Sequence, residues 1–360
     1  MILTGHCIEV LRTLPAAWVQ AAITSPPYWG LRDYGTAPVT WGDGRTGEIG
    51  QEPTPDAFVG HLMDVFRAVR RILRPDGLLW VNLGDTCETG HVANPSPKST
   101  RLGSKDVGAG DDPVARTGTK GGRQKSLAGI PHRFAVAMMS DGWIFRQDVI
   151  WAKPSRMPES VTDRFTKAHE CVFLLARQPR YFWDPSAIQE RAMHAGAVMK
   201  PFGPGSKDGH SMATGVGHTR GGGLGLVPNG HVTGEYRNRR SVWTVANDGV
   251  TQAHFATFPR ALARPMIRAS TKVGDTVLDP FSGAGTTVLV AGEQGRIGIG
   301  IEINPSCVAI RERCIPLRLD LDANPGEAVR DASALPMHPF RNGVAPALAD
   351  SDPRPGKWSG

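Results

Sequence analysis

Val277-Leu278-Asp279-Pro280-Phe281-Ser282-Gly283-Ala284-Gly285-Thr286-Thr287 is the stretch on which the fold turns. Followed by the helical run 288–292, it reads as a short apolar strand, a glycine loop and a helix. Glycines at 283 and 285 let the backbone turn sharply and approach a ligand closely. A second apolar run, 297–301, ends in Glu302, seventeen residues after Gly285. An acid there is placed to accept hydrogen bonds from both hydroxyls of a ribose. The order predicts an α/β fold with a mostly parallel sheet and an adenosine-containing ligand across the strand carboxyl ends.

Three ligand identities compete. A phosphate-binding loop needs Gly-Lys-Ser/Thr, and here Gly285-Thr286-Thr287 has no lysine. A dinucleotide fingerprint needs a third glycine, where Val288 stands. S-adenosylmethionine remains, because its cationic ammonium and sulfonium call for an acid in the loop itself, and Asp279 supplies one.

Outward from this segment, order and looseness alternate. Residues 56–73 carry apolar side chains at Phe58, Leu62, Val65, Phe66, Val69 and Leu73, a helical spacing. Pro75-Asp76-Gly77 then turns into 78–83, an almost continuous apolar strand suited to a sheet covered on both faces. A helix is expected near 134–139, two strands at 144–151 and 171–176, and an antiparallel hairpin somewhere in the mostly parallel sheet. Residues 98–133 hold eight basic and three acidic side chains, and 196–234 hold twelve glycines in 39 positions. Both read as long basic loops. The expected organisation is one catalytic domain, 1–319, with inserted loops at about 87–127 and 186–240, followed by a disordered tail, 320–360.

Composition narrows the class. The chain has 360 residues, 40% apolar, with 41 Lys and Arg against 34 Asp and Glu, a net charge of +7. That is enough apolar material for a sizeable core, so a wholly disordered chain is excluded. No apolar run approaches the roughly 20 residues that span a membrane, and no signal peptide is visible. Five cysteines without CxxC spacing fit a reduced, cytoplasmic protein, and no metal site is expected. The basic balance permits a nucleic-acid partner.

A second motif, Thr24-Ser25-Pro26-Pro27-Tyr28-Trp29-Gly30, follows a strand at 21–24 and so also lies at the carboxyl edge of the sheet. Two prolines fix the backbone and remove two N–H donors. A Ser25 hydroxyl and a proline carbonyl together offer two acceptors to one NH2 group, and Tyr28 offers a ring face to a planar base. An exocyclic amine is a poor nucleophile because its lone pair is delocalised into the ring. Hydrogen bonds from both its N–H groups would free that pair for direct displacement at a methyl sulfonium.

In these two motifs the chain resembles the amino-group (cytosine-N4 or adenine-N6) DNA methyltransferases of the circularly permuted kind. These carry Ser-Pro-Pro-Tyr before Asp-Pro-Phe-x-Gly-x-Gly-Thr. Supporting segments are Leu73-Arg74-Pro75-Asp76-Gly77, Lys153-Pro154, His169-Glu170-Cys171, His254-Phe255-Ala256-Thr257-Phe258-Pro259 and Glu302-Ile303-Asn304-Pro305. Two departures are Gly5-His6, where Gly-Asp is frequent, and Trp18-Val19-Gln20, where an acid is common.

The resemblance implies a Rossmann-like, S-adenosylmethionine-dependent fold acting on double-stranded DNA. It implies that Phe281, Phe255 and Pro259 also line the cofactor pocket, and that 186–240 holds much of the target-recognition region. Serine in the first catalytic position resembles the cytosine-N4 group, and adenine-N6 methylation is the alternative.

To reach an amine inside a duplex the base must be extruded. Trp29, Trp41 and Tyr34 are candidates to hold it. Arg237, Arg239 and Arg240, with Arg123 and Lys125, are candidates for phosphate contact. None of the five cysteines follows a proline, which argues against a cysteine nucleophile and C5-cytosine chemistry. Further rivals are a protein or RNA amine acceptor, and a DNA-binding module without catalysis. A cognate restriction endonuclease is a possible partner; the sequence leaves the oligomeric state open.

Overall fold

The computed structural model describes residues 1–30, 38–88, 125–155, 161–193, 198–199, 231–232, 234–247 and 259–304. Tyr34, Arg123, Phe255, the 320–360 tail and most of both inserted loops lie outside the described residues.

Eight strands form the central sheet: β1 (Ile2–Thr4), β2 (Val19–Thr24), β3 (Leu73–Leu83), β4 (Ile144–Ala152), β5 (His169–Ala176), β6 (Val242–Thr244), β7 (Thr276–Asp279) and β8 (Ile297–Glu302). Their spatial order is β1-β8-β7-β2-β3-β5-β4-β6. All neighbouring pairs are parallel except those of β5, which runs against both β3 and β4. The sheet is thus mostly parallel with an antiparallel hairpin.

Helices cover both faces. On one lie α1 (Cys7–Thr13), α2 (Pro55–Ile72) and α3 (Ile130–Ser140), packed over Ala22, Leu79, Val81, Leu278 and Ile299. On the other lie α4 (Arg260–Ser270) and α5 (Thr286–Glu293), over Ile23, Leu78, Trp80 and Val277. Successive residues along β2, β3 and β7 therefore enter opposite cores, which is why these strands read as continuous apolar runs.

The longest helix shows how local sequence fixes an element. Thr54 caps α2 by accepting from Ala57 N (3.2 Å), Pro55 takes the first turn, and Asp56 there and Arg70 and Arg71 in the last turn suit the helix dipole. Its buried stripe, Phe58, Leu62, Val65, Phe66, Val69 and Ile72, is fully inaccessible. Truncating Phe66 there to alanine would cost about 3–5 kcal/mol.

The expected turn at Pro75-Asp76-Gly77 falls within the bounds of β3. There the register with β2 jumps from Val19↔Leu73 to Ala21↔Leu78, so the extra residues 74–77 bulge out opposite Gln20. Three elements carried no clear sequence signal. Strand β1 is three residues long, α1 is seven, and α4 contains Pro265 amid arginines, although Leu262, Met266 and Ile267 form a buried face. Among the described residues, no helix is long and apolar enough to cross a membrane.

Candidate functional site

Strands β2, β7 and β8 are parallel neighbours, so the segments leaving their carboxyl ends share one edge of the sheet. After β7 the chain passes through Gly283 (φ +49°) and Gly285 (φ +80°) before α5 begins at Thr286. These left-handed angles are what the two glycines are there for. The loop is tied to β8: Ser282 N donates to Ile301 O (2.9 Å) and Gly283 N to Glu302 Oε2 (2.8 Å). Glu302 Oε1 accepts from Asn304 N (2.8 Å).

The third glycine missing at Val288 has its counterpart across the interface. A Cβ on Gly298 of β8 would stand 2.5 Å from the Val288 carbonyl oxygen, so the close helix–strand approach is met from the strand side.

Asp279, at the end of β7, is 5% exposed. Its Oδ1 accepts from Thr24 Oγ1 (2.6 Å) and Phe281 N (3.1 Å). Burial pushes its carboxyl up to about 6, with the Glu302 charge adding to the rise and the hydrogen bonds from Thr24 and Thr287 opposing it. Among the described residues no cation offsets this buried acid, so a ligand carrying an ammonium or sulfonium would complete it. The Ser282 hydroxyl in the same loop is buried without a hydrogen-bond partner among the described residues. Two acids on adjacent strand ends with a glycine turn between them fit S-adenosylmethionine. Phe281 packs partly buried against the core, and Pro259 sits just before α4, its carbonyl accepting from Ala263 N (3.1 Å).

Thr24 joins this site to the second one. It is the last residue of β2, and Ser25-Pro26-Pro27-Tyr28 follows directly. Asn82 near the end of β3, Lys153 just past β4 and Glu170 at the start of β5 converge on that loop. Tyr28 OH donates to Glu170 Oε2 (2.7 Å) and accepts from Asn82 Nδ2 (2.6 Å). Asn82 Nδ2 also reaches Glu170 Oε2 (2.9 Å) and Ser25 Oγ (3.3 Å). Glu170 Oε1 pairs with the Lys153 ammonium, which lies 3.9 Å from the Trp151 ring centroid. Burial pushes the Glu170 carboxyl up, but the Lys153 charge and the hydrogen bonds from Lys153, Asn82 and Tyr28 outweigh it and hold it below the usual range.

Thr24, Lys153 and Glu170 stand in segments that the motif and the resemblance single out, yet neither they nor Asn82 were expected to have a role in the site. One signal was available: Asn82 is the single polar side chain inside the apolar run 78–83, and burying an amide without a purpose is costly. Lys153 and Glu170 are seventeen residues apart in a hairpin, and nothing local marks them as partners.

Trp29 and Trp41 are packing residues. They are 4% and 5% exposed; Trp29 Nε1 donates to Glu52 O (2.8 Å), and Trp41 stacks on His61 with centroids 4.5 Å apart. The basic candidates lie in intramolecular contacts. Arg237 and Arg240 pair with Glu190 (3.0 and 2.8 Å), Arg239 lies 4.8 Å over the Trp243 ring, and Lys125 pairs with Asp163 (2.6 Å). Exposed pairs of this kind contribute at most about 1 kcal/mol, so a phosphate can exchange for the carboxylate. Among the described residues no group of three or more His, Cys, Asp or Glu is arranged to hold a metal.

Comparison with known proteins identifies the family and the fold. A family model described as DNA methylase, covering N6 and N4 methyltransferases, matches residues 19–313. The chain is 38% identical to the type II methyltransferase M.Cfr9I of Citrobacter freundii over 306 residues, 85% of this chain and 84% of that one. It is 34% identical to the type II methyltransferase M.SmaI of Serratia marcescens over 319 residues, 88% and 91% of the two chains. In fold it is similar to the cytosine-N4-specific PvuII DNA methyltransferase (TM-score 0.54, 18% identity, 86% and 84% of the two chains). It is also similar to a putative DNA modification methylase of Thermus thermophilus complexed with S-adenosyl-L-methionine (TM-score 0.50, 21% identity, 87% and 91%).

Proposed function

Because the chain belongs to the N6/N4 family of DNA methylases, whose methyl donor is S-adenosylmethionine, we propose that it methylates the N4 amine of cytosine in duplex DNA as a type II modification enzyme. The observation that carries this reading is the Thr24–Asp279 hydrogen bond (2.6 Å), which links two motifs 255 residues apart in sequence. It sets a loop suited to an NH2 group beside a loop suited to a cationic cofactor.

In this reading Asp279 pairs with the cofactor's cationic end, Glu302 accepts from its ribose hydroxyls, and the 283–286 turn gives its backbone to the ligand. Phe281, Phe255 and Pro259 line the remainder of the pocket. When bound, the cofactor supplies an electrophilic methyl group on sulfur. Ser25 Oγ and the Pro26 carbonyl accept the two N–H bonds of the extruded base, with Pro27 holding the turn rigid and Tyr28 stacking on the ring. Those hydrogen bonds draw the nitrogen towards a pyramidal shape and free its lone pair. Catalysis is then chiefly positioning.

The preference for cytosine N4 rests on Ser25 in the first position of the catalytic motif. That motif precedes the cofactor motif in the chain although their strands are sheet neighbours, the order of the circularly permuted family members. The 186–240 region serves target recognition, where the Glu190–Arg191 and Tyr236–Arg237 strands pair and bring Arg237 beside Glu190. The names of the type II relatives support a cognate restriction endonuclease, and a DNA substrate supports work in the cytoplasm.

The test is to incubate purified protein with methyl-labelled S-adenosylmethionine and unmethylated DNA, digest to nucleosides, and identify the product by mass. N4-methylcytosine is the expected result. N6-methyladenine would overturn the base assignment while keeping the chemistry. Label in RNA or protein but not in DNA nucleosides would overturn the substrate.

A further inference from the structure

Tyr28 is held from two directions. Its hydroxyl sits between Asn82 Nδ2 (2.6 Å) and Glu170 Oε2 (2.7 Å). Its ring lies against the backbone at Gly84, where a Cβ would stand 2.6 Å from Tyr28 Cε2 and 2.9 Å from Cδ2. The backbone at Gly84 is outside the left-handed region, so what glycine provides here is room for the ring. Any side chain at 84 would push the tyrosine away.

The cost of this arrangement argues for its use. Glu170 and Lys153 bury a carboxylate and an ammonium at 9% and 10% side-chain exposure. Desolvating such a pair often cancels its Coulomb gain, so it contributes little to stability by itself. What it secures is a fixed acceptor for the phenol. Asn82 adds to the clamp, its amide nitrogen lying within reach of Tyr28, Glu170 and Ser25 and sharing two N–H donors among them.

We propose that Glu170 and Gly84 are positioning residues for methyl transfer, fixing the Tyr28 ring in the orientation that receives the target base, with Lys153 as the buried counter-charge. This rests on the reading of Ser25-Pro26-Pro27-Tyr28 as the loop that takes the target amine. Glu170 sets the phenol oxygen, Gly84 sets the ring plane, and neither touches the reacting atoms. A displacement of about 1 Å at such a position can cost on the order of 100-fold in rate.

Two double-mutant cycles test it, reading kcat and KM for duplex DNA and the dissociation constant of S-adenosylmethionine. Glu170→Gln should lower kcat by roughly 10- to 100-fold with cofactor affinity within about twofold of the parent. In a Tyr28→Phe background the same change should cost nothing further, because the phenol through which Glu170 acts is gone. Likewise Gly84→Ala should lower kcat alone but have no further effect beside Tyr28→Ala, which vacates the space.

Losses that multiply in both double variants would overturn the proposal, since Glu170 and Gly84 would then act independently of Tyr28. If Glu170→Gln leaves Lys153 uncompensated and the variant fails to fold, the Gly84 cycle decides alone. Unchanged turnover in Tyr28→Phe and Tyr28→Ala would instead overturn the catalytic-loop reading, and this inference with it.

Discussion

Two buried carboxylates stand at the same edge of the sheet, and they are treated in opposite ways. Asp279 has hydroxyl and amide donors but no cation among the described residues, and its carboxyl is pushed up to about 6. Glu170 has the Lys153 ammonium against one oxygen and Tyr28 and Asn82 against the other, and its carboxyl is held low. In the proposed reading, the difference separates a binding group from a positioning one. An acid left uncompensated inside a protein is destabilising until a cationic ligand arrives, whereas an acid compensated internally is already committed. In the proposed reading, the Asp279 side is therefore tensioned for a cationic cofactor, and the Glu170 side is a finished clamp.

The sharpest way to break this comparison is Asp279→Asn, which keeps an acceptor for Thr24 and Phe281 N but removes the charge. It should lower S-adenosylmethionine affinity by at least about 100-fold in a calorimetric titration, in keeping with loss of a buried ion pair. The same variant should be more stable than the parent without ligand at pH 8. Between the unfolded value of 3.8 and about 6 the folded protein binds the extra proton, so stability falls as pH rises through that window. The gain of the Asn variant is at most roughly 3 kcal/mol above the window and vanishes below pH 4. Equal melting temperatures at pH 8 would mean that Asp279 is not strained.

Tyr28→Ala sharpens the other half. It should reduce turnover on DNA by on the order of 100-fold while changing cofactor affinity little. Parallel loss of both would make Tyr28 a structural residue and erase the distinction between the two sides.

A smaller effect separates the acids by pH. Cofactor affinity of the free protein should weaken as pH falls through about 6, because protonating Asp279 removes the charge that a cationic ligand pairs with. Affinity flat from pH 8 to 5 would place the recognition charge elsewhere, with Glu302 the next candidate.

The smallest expected effect lies on the surface. Replacing Arg237 and Arg240 with alanine should weaken DNA binding several-fold and reduce the salt dependence by about one to two ion equivalents, leaving cofactor affinity unchanged. An unchanged salt slope would confine both arginines to their pairing with Glu190.

Much of the fold was legible because its signals are local. The helical spacing from Phe58 to Val69, the apolar runs of β3 and β8 and the glycine turn at 283–285 each depend on a few contiguous residues. Where signals were short or mixed they failed: β1 is three residues held by pairing with β8, and Pro265 disguised α4. The motif loops at 25–28 and 279–286 were readable for the same reason, since proline and glycine act on their own backbone.

Sequence alone therefore determined most of the sheet-forming segments, the two motif loops, and the acids Asp279 and Glu302 beside the glycine turn. Tertiary structure alone decided that Thr24 bonds Asp279, that Asn82, Lys153 and Glu170 surround Tyr28, and that Gly298 makes room for α5. The reason is physical. Secondary structure and turns arise from interactions within a few residues, but the ionisation and orientation of a buried side chain depend on neighbours that only the order of strands in the sheet brings together.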